Sequence, residues 1–310
     1  MTPSRQGILF GLLAYSIWGL FPLYFKLLAR SGTIEIVLHR YLWAVPVCTL
    51  VILITRAGDQ LRAVFRTPRR VATLGAAAST LALTSGVYVY AVNSGQVVEA
   101  SLGYFINPLV TVALGVAVLG ERLRPAQWVA VTIGVLAVGV LTIDYGRLPW
   151  IALTLSCSFG TYGLIKKRVG GDVGAVVGLT TEAIVLSPFA VLGIILYTAT
   201  GHGTFTANPP RQALLLASGG VAIVAPLLPF AAAARRVSLT TLGLLQYLTP
   251  VLQLLTGVLL LGEHMPPSRW IGFGLVWTAL IVLSADGLRN HARQSRAQTD
   301  PAREAVNRAA

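Results

Sequence analysis

Long apolar stretches of similar length follow one another along the chain, and only short polar segments separate them. Each stretch has roughly 18 to 25 mostly apolar residues, which is the length that a helix needs to cross about 30 Å of hydrocarbon. The pattern therefore predicts an all-α membrane protein with ten transmembrane helices. The predicted helices cover residues 7–27, 35–55, 71–92, 98–119, 126–143, 148–165, 173–198, 212–234, 238–261 and 268–285.

The composition favours a membrane protein and disfavours two other classes. Of the 310 residues, 55% are hydrophobic and only 11% are charged, which is too apolar for an ordinary soluble domain. The net charge of +13 sits in short clusters between apolar stretches, so no nucleic-acid partner is predicted. Both cysteines, Cys48 and Cys157, lie in apolar segments, so no disulfide framework, metal site or cofactor is predicted. The first stretch is too long for a signal peptide and is kept as a helix.

Basic residues in the loops predict the orientation. Lys and Arg near the ends of spans stay on the cytoplasmic side of a membrane. The even-numbered loops are the basic ones, with Arg69 and Arg70, Arg122 and Arg124, Lys166 to Arg168, and Arg235 and Arg236. Both termini are therefore predicted to be cytoplasmic. Residues 288–310 have no apolar periodicity and are predicted to form a basic, disordered cytoplasmic tail.

The segment LGERLRPAQW at residues 119–128 returns as LGEHMPPSRW at residues 261–270, and this echo belongs to a longer repeat. At the same offset, prolines, tryptophans and aspartates recur: Pro46 with Pro188, Pro108 with Pro250, Trp128 with Trp270, and Asp144 with Asp286. This predicts two five-helix repeats, residues 1–145 and 146–287. Since five is odd, the second repeat enters the membrane from the opposite side, and inverted repeats of this kind are a hallmark of secondary transporters.

Two charged residues lie inside predicted spans and at equivalent positions of the two repeats. Glu182 lies too deep for its short side chain to reach the interface, and such a carboxylate could carry a proton or meet a cationic group. A structural ion pair is the alternative. Arg40 is nearer the end of its helix, where a long side chain can also snorkel to the interface. Its guanidinium suits a carboxylate or phosphate on a substrate, or Glu182 itself.

Five further residues complete the predicted substrate or ion site. Polar residues come just before a proline in the fourth and ninth helices: Tyr104 and Asn107 before Pro108, and Gln246 and Tyr247 before Pro250. Because proline frees a backbone carbonyl, matched interruptions are where a transporter site is first sought. A kink that only shapes packing is the alternative. His39 adjoins Arg40, but about 100° of helix rotation separates the two side chains, and a hydrogen-bonded structural histidine is the commoner case.

Enzyme motifs do not stand out. The chain has no HExxH, Walker A or GxSxG motif, so an enzyme is not predicted. The rival hypothesis from another class is a non-transporting membrane protein, either a scaffold or a lipid scramblase. A scaffold needs no water-filled cavity, whereas a transporter does.

Several segments together resemble one known family. AYSIWG, the pair His39 and Arg40, EASLGYFINPL, LGERL, SFGTYGLIKK and GLLQYLTP are similar to segments of RarD proteins, a subgroup of the EamA family in the drug/metabolite transporter superfamily. The resemblance covers nearly the whole chain except the C-terminal tail. It implies two inverted EamA units around a central cavity, in a permease of the bacterial inner membrane.

The function predicted from these observations is secondary-active transport by alternating access. The partners are a small metabolite or drug-like molecule and the lipid bilayer, and proton coupling through Glu182 is part of the hypothesis. Arg40 is predicted to sense an anionic group, and the polar residues beside the two prolines are predicted to orient the substrate. Substrate, direction of transport and oligomeric state are left open by the sequence.

Overall fold

The computed structural model describes residues 3–120, 122–169, 173–205 and 210–309, and every regular element within them is a helix. A π-helical turn, Thr256–Leu260, lies between the last two helices. The helices are α1 Pro3–Gly19, α2 Phe21–Leu27, α3 Thr33–Thr55, α4 Gly58–Phe65, α5 Pro68–Asn93, α6 Val97–Leu119, α7 Pro125–Tyr145, α8 Trp150–Val169, α9 Ala175–Ala199, α10 Pro210–Ala217, α11 Gly219–Val224, α12 Leu227–Ala234, α13 Leu239–Leu245, α14 Leu248–Leu255 and α15 Pro267–Ala309.

Within the described residues, nine helical segments are long and apolar enough to cross a membrane. They match nine of the ten predicted spans. The predicted span 148–165 corresponds to α8, a 20-residue helix that is not among the nine. Hydroxyl residues along α8 and the Lys-Lys-Arg at its end make it more polar than the others. An all-helical, multi-pass membrane protein is thus confirmed, whereas ten spans in two inverted repeats stay a prediction.

Only some of the prolines in the spans lie at an interruption of the helix. The helix is interrupted at Leu20 before Pro22, at Ala225 and Pro226, and at Gln246 and Tyr247 before Pro250. In contrast, α6 continues through Pro108 without a break. The predicted matched interruption therefore occurs in the ninth predicted span but not in the fourth. A proline removes one hydrogen bond, and a long helix with intact turns on both sides can continue past that loss.

By its internal contacts, the chain divides into two compact units. Unit 1 comprises Met1–Thr111 and Trp150–His264, and unit 2 comprises Val112–Pro149 and Met265–Ala310. One buried cluster of unit 1 brings together side chains of α2, α3, α5, α6, α8 and α10, among them Phe25, Ile36, Tyr88, Ile151 and Leu216. Small residues let its helices approach closely. A Cβ on Gly220 would lie 2.1 Å from the Trp43 carbonyl oxygen, so α11 packs directly on the backbone of α3.

In unit 2, an ion pair joins α7 and α15 at each end. The Nη2 atom of Arg124, at the start of α7, lies 2.5 Å from Asp286 in α15. The Nε atom of Arg269, near the start of α15, donates to Asp144 at 2.9 Å near the end of α7. The two helices are therefore antiparallel. Asp144 and Asp286, the aspartates that recur in the sequence repeat, therefore join α7 to α15.

The repeated Leu-Gly-Glu motif has a structural explanation. Gly120 and Gly262 have φ angles of 67° and 69°, the left-handed conformation that favours glycine just after a helix. Glu263 accepts hydrogen bonds from the backbone N–H groups of Val97 and Val98 at 2.6 and 2.8 Å. It therefore satisfies free N–H groups in the first turn of α6. Glu121 of the first copy lies outside the described residues.

Candidate functional site

Arg40 lies in the interior of unit 1 with only 8% of its surface exposed. Its guanidinium carbon is 4.9 Å from the ring centroid of Phe25 and 5.9 Å from that of Phe21. These are cation–π distances. On the other side of its stem is α11, where a Cβ on Gly219 would lie 2.8 Å from Cγ of Arg40. The side chain is thus held between α2 and α11 and does not reach the surface as a snorkelling arginine would.

No carboxylate among the described residues pairs with Arg40. Its Nε atom is buried and has no hydrogen-bond partner. Three other carboxylates of unit 1 accept from backbone N–H groups: Glu35 from residues 204–205, Glu99 from the start of α8, and Glu263 from the start of α6. Glu182 was one predicted partner for Arg40, and the structure gives it a different one.

Glu182 is completely buried in α9 and forms an ion pair with Lys166 of α8. The lysine Nζ donates to the carboxylate at 2.7 Å, and the hydroxyl of Tyr162 donates to its other oxygen at 3.4 Å. Gly178 makes room for this pair, since a Cβ there would lie 2.6 Å from the lysine Nζ. Gly178 and Glu182 are four residues apart and share one face of α9. The structural-pair alternative for Glu182 therefore describes its contacts, although the partner is Lys166.

A run of aromatic rings connects the surroundings of Arg40 with those of Glu182. Consecutive ring centroids along it are 5.2 to 6.2 Å apart. The run consists of Tyr24, Phe25, Tyr88, Tyr104, Phe159 and Tyr162. We call these six residues the aromatic row. Tyr104, which the sequence singled out, lies in its middle and contacts Tyr88 and Phe159.

His39 precedes Arg40 in the sequence and is also buried, but its side chain contacts different groups. Its Nδ1 atom accepts a hydrogen bond from Trp43 at 3.3 Å, and its ring stacks on Phe205 at 4.6 Å. Its Nε2 atom has no partner in the described structure. The expectation that helix rotation separates His39 from Arg40 agrees with these contacts, which place the histidine against the loop after α9.

The residues beside the two prolines differ in their surroundings. Asn107 is half-buried in α6, and its side-chain oxygen is buried without a hydrogen-bond partner. Gln246 is exposed at the break between α13 and α14, and Tyr247 beside it is half-buried. A continuous series of contacts through the aromatic row joins Arg40, Tyr104 and Glu182. Gln246 is not part of this series.

Sequence reasoning missed two residues of this region, Lys166 and Tyr88. Lys166 was counted only as a basic residue at the cytoplasmic end of a span. Its position four residues after Tyr162 on one helix face, opposite a buried glutamate, was a signal that could have identified it. Tyr88 is 4% exposed, and its hydroxyl has no hydrogen-bond partner in the described structure. Nothing in the local sequence distinguishes Tyr88 from the neighbouring Tyr90.

Comparisons with known proteins decide the family. The model of the EamA-like transporter family matches the chain twice, at residues 5–143 and 148–285. This chain belongs to the EamA-like transporter family. It is 50% identical over 300 residues to Protein RarD of Streptomyces exfoliatus, covering 96% of this chain and 94% of the relative. It is also 42% identical over 288 residues to an uncharacterized transporter of Pseudomonas aeruginosa, covering 92% of this chain and 95% of the relative.

A solved crystal structure supports the same fold for this EamA-like chain. It has a TM-score of 0.55 at 19% sequence identity and covers 92% of this chain and 98% of the solved chain. The resemblance to RarD and EamA proteins noted in the sequence is confirmed. The chain is a membrane transporter of the drug/metabolite type, which implies a small-molecule substrate.

Proposed function

We propose that this EamA-like protein is a secondary-active permease that moves a small metabolite or drug-like molecule across the bacterial inner membrane by alternating access. The proposal includes ten spans in two inverted repeats and two cytoplasmic termini. The observation that carries it is Arg40, a buried cation in an apolar span without a carboxylate partner. An ionisable residue inside a membrane protein is costly and marks a substrate or ion pathway by default.

The Lys166–Glu182 pair supports a coupling role in this proposal. The lysine side chain is 28% exposed and the glutamate side chain is completely buried, so only the cation can leave the pair without large rearrangement. Protonation of Glu182 would remove the attraction and release Lys166. A proton that binds from one side of the membrane can in this way change the position of a charge in the transport pathway. This exchange at the Lys166–Glu182 pair is the mechanism that we propose for proton coupling.

The positions of the two charges agree with a transporter built from repeats. Arg40 and Glu182 are equivalent residues of the proposed repeats and lie on α3 and α9, which pack against each other in unit 1. Transporters with inverted repeats place substrate and coupling ions at the interface of the repeats. We assign Arg40, Tyr104 and Asn107 to substrate binding and Glu182 to coupling. His39, Gln246 and Tyr247 remain candidates for the same pathway.

The direct test is a transport screen in proteoliposomes, run with and without a proton gradient. We expect Arg40→Ala and Glu182→Gln to abolish flux in protein that still inserts and folds. Arg236→Gln is the matched control, because Arg236 also lies over a phenyl ring, Phe10 at 5.4 Å, but is exposed. Unchanged flux in both site variants would leave Arg40 and Glu182 with structural roles only.

Alternating access is tested by labelling single cysteines at positions 107 and 246. The exposed Cys157 is first replaced, and the buried Cys48 remains as an internal negative control. We expect membrane-impermeant reagents to label the introduced cysteines from opposite sides when substrate or the proton gradient changes. Labelling that never changes sides would favour a scaffold. Lipid exchange between leaflets without solute flux would instead identify a scramblase.

A further inference from the structure

Arg40 differs from three partly buried cations of the described structure that have carboxylate partners. Arg124, Lys166 and Arg269 each form an ion pair with a carboxylate, although each of these side chains is 17% to 40% exposed. Arg40 is more buried than any of them and has no such partner. Burying a guanidinium without a counter-charge costs on the order of several kcal/mol of hydration free energy. A counter-charge is therefore expected from outside the chain.

The rings around Arg40 do not replace that counter-charge. Phe21 and Phe25 lie at cation–π distances from the guanidinium carbon of Arg40, and the two rings are nearly perpendicular to each other. The five N–H donors of arginine point outward in the guanidinium plane, where they match the two oxygens of a carboxylate. Nε is buried and without an acceptor. The rings thus attract the cation but offer no hydrogen-bond acceptor, which an anion would supply.

A second donor without an acceptor lies near the first. The hydroxyl of Tyr88 is buried and has no hydrogen-bond partner in the described structure. The ring of Tyr88 contacts Phe25 at 5.9 Å between centroids, and the Arg40 guanidinium carbon lies 4.9 Å from the centroid of the same Phe25 ring. Buried polar groups are nearly always satisfied in folded proteins. Two neighbouring buried donors that both lack an acceptor indicate a ligand that supplies oxygens.

We propose that Arg40 and Tyr88 bind the carboxylate of a flat aromatic monoanion whose ring lies along the aromatic row. Lys166, the cation beside Tyr162 at the other end of the aromatic row, is already neutralised by Glu182, which favours one negative charge over two. Tyr104, a half-buried ring of the aromatic row, suits a planar apolar body. This assignment rests on the proposed transport function and gives it a substrate class, the aryl carboxylates.

The test measures binding of three aryl carboxylates and of their uncharged amides to the purified full-length protein in nanodiscs. Benzoate, phenylacetate and indole acetate are each compared with the matching carboxamide, which keeps the ring and removes the charge. Wild-type protein is expected to bind at least one acid more tightly than its amide by about ten- to a hundredfold, the range for a hydrogen-bonded charged group. If no acid binds better than its own amide, the assignment is wrong.

Two variants assign that preference to the two donors. Tyr88→Phe removes one hydroxyl and is expected to weaken binding of the acid by about two- to tenfold, the value of one hydrogen bond, with no change for the amide. Tyr90→Phe is its matched control on the same helix, because Tyr90 is 43% exposed. Arg40→Gln is expected to abolish the preference for the acid. If Arg40→Gln does not fold, Arg40→Lys keeps the charge and is expected to retain a reduced preference.

Binding and transport results separate the two proposals. Tight binding of an aryl carboxylate that depends on Arg40, without flux under any gradient, would support the anion site and overturn the transport function. Flux of neutral or cationic compounds that depends on Glu182 but not on Arg40 would support transport and overturn the anion site. An acid preference that survives unchanged in both Tyr88→Phe and Arg40→Gln would also overturn the site.

Discussion

The Lys166–Glu182 pair gives a quantitative prediction about stability. The perturbation is a double-mutant cycle of Lys166→Met, Glu182→Gln and both together. At 2.7 Å and an effective dielectric constant of about 20, the Coulomb attraction is about 6 kcal/mol. Desolvation of the two ions offsets much of this energy, so the net value of the pair is far smaller. The two single substitutions nevertheless leave very different residues behind.

Lys166→Met leaves a completely buried carboxylate without its cation. Loss of one member of a buried pair costs about 3–5 kcal/mol, so this variant should be the least stable of the three. Glu182→Gln leaves a lysine whose side chain is 28% exposed and can reach water. It should cost about 2 kcal/mol, the size of one hydrogen bond to a charged group. The double variant should be more stable than Lys166→Met alone, which corresponds to a coupling energy of at least about 2 kcal/mol.

The assay is reversible unfolding in mixed detergent micelles, followed by circular dichroism. The control cycle uses Asp59 and Arg62, whose side chains are 98% and 80% exposed and which should show no measurable coupling. Strict additivity at Lys166 and Glu182 would refute the reasoning. So would a Lys166→Met variant no less stable than Glu182→Gln, because the difference in burial predicts the opposite order.

Two further predictions concern packing and capping. Gly220→Ala should destabilise the protein strongly, because its Cβ would lie 2.1 Å from the Trp43 carbonyl oxygen, whereas Gly86→Ala, with open space around the new methyl group, should be tolerated; melting temperatures in detergent compare the two. Glu263→Ala should cost about 1–2 kcal/mol of unfolding free energy because it removes the acceptor for two N–H groups of α6, and Glu263→Gln should restore part of that loss.

The parts of the fold that the sequence predicted depend on composition and length. Apolar stretches of membrane-crossing length are a strong signal, and nine of the ten predicted spans match helical segments of the described residues that are long and apolar enough to cross a membrane. Breaks within the spans were harder to predict. Pro108 and Pro250 occupy equivalent positions, yet α6 continues through Pro108, whereas the helix is interrupted just before Pro250. Whether a helix tolerates proline depends on neighbouring helices, which one sequence does not reveal.

The sequence predicted individual residues of the candidate site but not the contacts that these residues make. Glu182 and Arg40 were identified because charge is rare in an apolar span. Their partners could not be identified in the same way, since Lys166 is separated from Glu182 by 16 residues and Tyr88 looks like any other aromatic residue. The two Leu-Gly-Glu motifs show the reverse case. Their repetition suggested topology, and the structure adds a local reason, a left-handed glycine at each helix end.

Equivalent positions of the proposed repeats hold opposite charges, and only one of the two charges has a counter-ion in the described structure. Position 182 carries a carboxylate with a cation at 2.7 Å, and position 40 carries a guanidinium with aromatic faces and no carboxylate. If both charges served stability alone, the simplest arrangement would pair them with each other. Instead Lys166 neutralises Glu182, and Arg40 remains without a counter-charge. Arg40 is therefore a buried cation without a carboxylate partner among the described residues, and an anionic substrate would supply that partner on binding.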